Sequence, residues 1–232
     1  MTHGIGRRGI LAGGFAAAAT LALPGRLRAQ ALTLPVLDPA PVSPAAVPAP
    51  APVVPATDNP EYRRRLMAAA ARETQRLGSK LWRNDLVGIA DFALPSSQPR
   101  FHFVKLGDGS VRSFYVAHGR GSDPEHSGWL QNFSNVPGSE ATSRGGFLTC
   151  EWYSGKYGTS IRLVGLDGDN SQALDRAIVV HPAKYATPDH VTRWGKLGRS
   201  EGCFAMAPGE FNEALWHLSG GRLLFADRIG LA

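Results

Sequence analysis

Two patterns of apolar spacing divide the region after residue 57. The stretch "DNPEYRRRLMAAAARETQRLG" predicts a helix, with Asp58 or Asn59 as cap, Pro60 in the first turn and Gly78 as the stop. Its arginines read as a solvated face. From Leu86 the pattern changes to short apolar runs bounded by turn residues, which predict strands: "LVGIADFAL", "RFHFVKL", "VRSFYVAH", "SIRLVGL" and "AIVVH". The segment "GDGS" forms the turn between the second and third runs. Two later segments, "NSQALDRA" and "PGEFNEALWHL", predict helices. The expected fold class is mainly β with a few helices, in one domain. No phosphate loop, paired CxxC or heptad breaks the pattern.

Ahead of this domain the pattern differs in kind. A small-residue and apolar run from Ile10 to Leu23 follows Arg7 and Arg8, and "RAQA" sets alanines at 29 and 31. That layout predicts an export signal cleaved after Ala31, and the arginine pair points to the twin-arginine route. The apolar run is shorter than the ~20 residues a spanning helix needs, so no stable membrane insertion is expected after cleavage. Nine of the 17 prolines fall between positions 35 and 60, which excludes helix and central strand and favours a semi-rigid spacer. The expected division is signal 1–31, proline-rich linker 32–59, and a folded domain over 60–232.

Setting the signal apart changes the charge. The whole chain carries +6, but the first 31 residues hold four arginines and no acid, leaving 21 basic and 19 acidic residues. The remainder is close to neutral, which argues against nucleic acid as a partner.

Candidate chemistry rests on seven histidines and two cysteines. His3 belongs to the signal. His102 alternates with Phe101 and Phe103, and His217 follows Trp216 in a helix, so both read as structural. His190 lies in a polar loop. His118 and His126 share "YVAHGRGSDPEHSGW", and His181 ends an apolar run 22 residues before Cys203. A thiol of ordinary pKa is only a few per cent thiolate at neutral pH, so a neighbouring imidazole is the usual means of activating it. Gly202, lacking a Cβ, is expected to let a substrate carbonyl approach, with the Gly202 and Cys203 amides facing the developing oxyanion. The order His then Cys argues against papain-like peptidases. Cys203 is thus expected to be a free, activated thiol, and Cys150 a buried small hydrophobe.

"RAIVVHPAKY" followed by "GRSEGCFAMAP" resembles the His and Ser-x-Gly-Cys signature of the YkuD-like L,D-transpeptidases, in the branch called the murein L,D-transpeptidase catalytic domain. The resemblance runs over roughly residues 84 to 208. It implies a mostly β catalytic domain outside the cytoplasm that joins peptidoglycan stem peptides, with no metal or organic cofactor, and together with the export signal the expected location is the periplasm. Carried over residue by residue, it implies Cys203 as nucleophile, His181 as base, and the Gly202 and Cys203 amides as oxyanion donors. Arg199 and Ser200 would flank the site, with His118 and Ser143 as substrate contacts. Pro182 stands where the family commonly has glycine or serine, yet it keeps the carbonyl that would orient the imidazole. Glu201 stands where better-known relatives carry a second histidine, and Ala205 and Met206 where an arginine or asparagine is usual.

Three other readings stay open on the residues alone. "FLTC" with Arg162 and His118 fits a sortase-like enzyme using Cys150. A bridge between Cys150 and Cys203 would make a disulfide-stapled, non-catalytic envelope-binding module. A metal site from His118, His126, His181 and Cys203 matches no familiar spacing.

Overall fold

Asn59 opens the first helix, α1 (Pro60–Leu77), and its side-chain oxygen accepts from the amides of Glu61 at 2.9 Å and Tyr62 at 3.4 Å. Pro60, which has no amide to satisfy, fits the first helical position. Gly78 ends α1 as expected but stays right-handed, at φ −54°, and tightens into a short 3₁₀ turn. This computed structural model describes residues 58–230. The expected signal and nearly all of the expected linker lie outside the described residues.

Tyr62, Leu66, Ala69, Ala70 and Leu77 form the buried face of α1 and pack on Val87, Ile89, Val104, Leu223 and Phe225. The helix thereby covers one face of an eight-stranded sheet ordered β3-β2-β1-β8-β4-β5-β6-β7. The strands are β1 (Leu86–Asp91), β2 (Phe101–Lys105), β3 (Val111–Phe114), β4 (Gly145–Gly155), β5 (Gly158–Gly165), β6 (Val179–Pro182), β7 (Phe204–Met206) and β8 (Leu223–Asp227). Pairs β1·β8 and β6·β7 are parallel and the other neighbours antiparallel. Alternation along β1 sends Val87 and Ile89 toward α1, and Leu86 and Ala90 into the second core. There Phe101, Phe147, Ile161 and Phe204 meet Phe211, Ala214 and Leu218 of a helix at Pro208–Leu218. That helix is α3, and α2 spans Pro188–Trp194.

The mainly β domain with three helices agrees with the reading from sequence, but several elements differ. The segment "NSQALDRA" is a run of turns rather than a helix. The Asn170 side chain is spent on backbone, donating to Gly146 O at 2.8 Å and accepting from Asp167 N at 2.9 Å. The run closes at Ala177, which sits at φ 51°. Strand β1 stops at Asp91, whose carboxylate takes the amides of Ala93 and Ile229 at 2.9 and 2.8 Å. Strand β3 stops at Phe114, and the chain beyond it crosses to β7, where Ala117 N donates to Ala205 O at 2.8 Å. Among the described residues, no helix is long and apolar enough to cross a membrane.

Candidate active site

Parallel pairing of β6 with β7 sets the two chemical residues side by side. Val180 is in register with Phe204 and His181 with Ala205, while Cys203 immediately precedes β7. The period of two therefore turns His181 and Cys203 to the same face, one diagonal step apart on neighbouring strands.

The turn before Cys203 is held by Ser200. Its hydroxyl donates to Cys203 O at 2.6 Å and accepts from Gly202 N at 3.2 Å. The Gly202 amide is therefore engaged within its own turn. Gly202 itself sits at φ 112°, and a Cβ there would lie 2.8 Å from Ile178 Cδ1 and 2.9 Å from Ala141 O. The glycine is thus required by backbone and packing. Gly119 interlocks behind it, since a Cβ on Gly119 would come within 2.6 Å of Gly202 Cα.

Cys203 opens onto a cleft of about 460 Å³, lined also by Tyr153, Tyr157, Arg176, Ala177, Val179 and Glu201. Its thiol donates to Ala177 O at 3.6 Å. Ala177 holds that carbonyl from a left-handed conformation unusual for a residue with a side chain. Burial pushes the thiol up to about 11, outweighing the Val179 amide and the Arg176 charge, which pull it down. At rest Cys203 is a neutral, 4% exposed thiol rather than a preformed thiolate. Cys150 is also buried, at 8%, so exposure does not separate the two cysteines. The cleft does: it is lined by Cys203 and not by Cys150.

His181 is 2% exposed, and its Nδ1 lies 3.0 Å from Pro182 O. A carbonyl only accepts, so Nδ1 carries the proton and Nε2 keeps the lone pair. The carbonyl expected to orient the imidazole occupies that position. Burial lowers the imidazole pKa, and the bond to Pro182 offsets part of that shift. Tyr157, at the tip of the β4–β5 hairpin, stacks on the imidazole with centroids 4.5 Å apart and planes at 21°. Its hydroxyl donates to Glu201 at 2.9 Å, which ties the hairpin tip to the Cys203 turn.

The other residues singled out from sequence lie as follows. Arg199 donates to the carbonyls of Asp123 and of Pro124, the latter at 2.9 Å, and so braces the loop beside the Cys203 turn. Ser143 is buried, donating to Ser134 O at 2.9 Å and accepting from Arg176 at 2.7 Å. His118 is 1% exposed and does not line the cleft. Its Nδ1 accepts from Arg100 at 2.7 Å, while Nε2 lies 3.4 Å from Asp123. Burial and the Arg100 charge take its pKa down to about 3, so it is a neutral core residue. It also supports the site through its carbonyl, which accepts from Ser200 N at 2.9 Å. His102, read as structural, bridges the Tyr62 hydroxyl at 2.9 Å and Ser113 at 2.8 Å.

Both cysteines are free thiols. His118 is engaged with Arg100, and Arg162 donates to Glu151 at 2.7 Å, so no sortase-like trio forms around Cys150. The sequence reading missed Arg176, a guanidinium on the cleft wall. Its signal was a lone cation in a segment read as a helix.

The chain matches the L,D-transpeptidase catalytic domain family over residues 58–226, and it belongs to that family. The family acts on peptidoglycan stem peptides. Among solved structures it resembles an L,D-transpeptidase from Mycobacterium smegmatis at 16% identity, covering 62% of this chain and 58% of that one, with TM-score 0.38. An L,D-transpeptidase from Mycobacterium tuberculosis H37Rv gives 14% identity, 62% and 57% coverage, and TM-score 0.39. The helical cell shape determining protein Pgp2 from Campylobacter jejuni gives 12% identity, 68% and 55% coverage, and TM-score 0.40. The chain thus covers less than two thirds of each of these three. A search of curated proteins found no match.

Proposed function

We propose that this protein is a cysteine-dependent L,D-transpeptidase that cross-links peptidoglycan stem peptides through a thioester on Cys203. The observation that carries this reading is the neutral thiol and imidazole set on one sheet face, with the Nε2 lone pair fixed by Pro182. Both pKa shifts favour neutral partners, so the proton leaves the thiol as attack occurs and not before. The thiol turns from Ala177 O to His181 Nε2, and Sγ attacks the carbonyl of an L-configured stem residue. The C–N bond to the following D-residue breaks, and His181 returns the proton to the departing amine. An amine of a second stem then attacks the thioester, gives up a proton to His181, and restores the thiol. Water in place of that amine gives L,D-carboxypeptidase activity from the same site. The Cys203 amide is the oxyanion donor, and Arg199 and Ser200 hold the turn that carries it. The substrate contacts expected of His118 and Ser143 become supporting roles, through the Ser200 amide and Arg176.

The cellular setting belongs to the same proposal: export by the twin-arginine route, cleavage after Ala31, and work in the periplasm. The test is mass spectrometry of purified muropeptides incubated with the protein, alongside the intact mass of envelope-extracted protein. Dimers that have lost one D-residue, absent with Cys203→Ala, and a chain beginning at Leu32 are the expected results. Cross-linking by Cys203→Ala would overturn the mechanism, and a retained Met1 would overturn the export reading.

A further inference from the structure

Arg176 is a cation set into the cleft wall without an anion. Its Nη1 donates to Ser134 O and to Ser143 Oγ, each at 2.7 Å, and its Nη2 donates to Ala141 O at 2.5 Å. Those three acceptors are neutral, and among the described residues no carboxylate comes within ion-pair distance of it. Asp175, its chain neighbour, lines the same cleft but forms no ion pair with it. Two further carboxylates of the cleft are matched: Glu140 pairs with Arg120, and Glu201 with Lys156 at 3.7 Å and with Arg120 at 3.7 Å.

A guanidinium has five N–H groups. Here, among the described residues, Nε–H has no acceptor and Nη2 has one, and Nε and Nη2 share one edge of the plane. Two parallel donors on one edge form the fork that holds a carboxylate bidentately. Bonds to three separate backbone and hydroxyl positions fix the fork, so little conformational freedom is lost when it is used. Its place relative to the nucleophile is set by Gly202: Nη2 lies 3.2 Å from where a Cβ on Gly202 would sit, one residue from Cys203.

We propose that Arg176 is the donor-specificity residue of this site and binds the terminal carboxylate of the D-residue that leaves. One residue of extended chain spans roughly 3.3–3.6 Å. A scissile carbonyl at Sγ therefore puts the next residue's carboxylate within reach of a guanidinium packed beside Gly202. The consequence is selectivity for stems that end one residue after the cleaved bond. A longer or amidated stem has no carboxylate at that place and leaves the half-buried guanidinium without its counter-charge. This inference rests on the transpeptidase reading above.

The experiment compares two synthetic stem tetrapeptides, one with a free C-terminal carboxylate and one with a C-terminal carboxamide, by release of the terminal D-residue or its amide. The native protein is expected to favour the acid about 10- to 100-fold in kcat/KM, chiefly through KM, the range that charged hydrogen bonds supply. Arg176→Gln should bring that ratio close to one. Arg176→Lys keeps the charge but not the fork, and should lower the ratio several-fold; it decides the matter if Arg176→Gln does not fold. A ratio unchanged in the variants, or a loss shared equally by both donors, would overturn the assignment. Native protein that turns over neither peptide would count against the transpeptidase reading itself.

Discussion

Cys203 and His181 rest as a neutral pair, and that state fixes how the site responds to pH. Burial raises the thiol to about 11 and lowers the imidazole below its usual 6.5. General-base catalysis needs neutral His181, so the acid limb of kcat should lie below pH 6.5 and not at it. His181→Ala should keep the fold and lose ~10²- to 10⁴-fold in turnover, with the acid limb gone. An unchanged pH profile in that variant would remove His181 from the proton transfer. Much at this scale was legible in the chain. Pro182 signalled that the orienting carbonyl survives, because proline loses only its amide. The fate of the Gly202 amide was not legible: whether Ser200 captures it depends on how the turn closes, and the same residues could have left it open. Arg176 was hidden for a similar reason, since its acceptors come from Ser134, Ala141 and Ser143, distant in sequence.

The β4–β5 hairpin is the element that brings the cleft its cover. Its tip carries Lys156 and Tyr157 over the site, and Tyr157 supplies part of the burial that depresses His181. Tyr157→Ala should therefore move the imidazole back toward its ordinary value. The acid limb of kcat would shift to higher pH, measurable in the same profile. A limb that stays in place would mean that the ring does not shield His181. Neither β4 nor β8 was read from the sequence, and each for a physical reason. The register of β4 against β5 shifts between Thr149 and Trp152, which breaks the alternation a half-buried strand would show. Strand β8 is buried at four of its five positions, so "LLFAD" has no alternation to read. By contrast α1 was legible to its cap, because Asn59, Pro60 and the apolar spacing all point to one helix.

Two buried histidines lower the stability of the fold in acid. Burial takes both His102 and His118 down to about 3, against 6.5 for an ordinary histidine. Between those values the unfolded chain binds protons that the folded one refuses, so stability is full above pH 6.5 and falls as pH drops toward 3. Each histidine contributes on the order of 1.4 kcal/mol per pH unit across that window. Urea midpoints taken from pH 7 to pH 4 should decline accordingly, and a flat series would contradict the buried, neutral assignment. The fold class was visible from the periodicity of the strands, whereas the mixed parallel pairing that brings His181 beside Cys203 was not. Pairing across 22 residues is decided by the sheet as a whole. The central claim is that Cys203 carries the acyl group, and its most direct measurement is mass mapping of protein acid-quenched during turnover of a tetrapeptide stem. The account predicts one adduct, of the donor mass less its terminal D-residue, on the peptide containing Cys203. An adduct on Cys150, or product formation by Cys203→Ala, would contradict it.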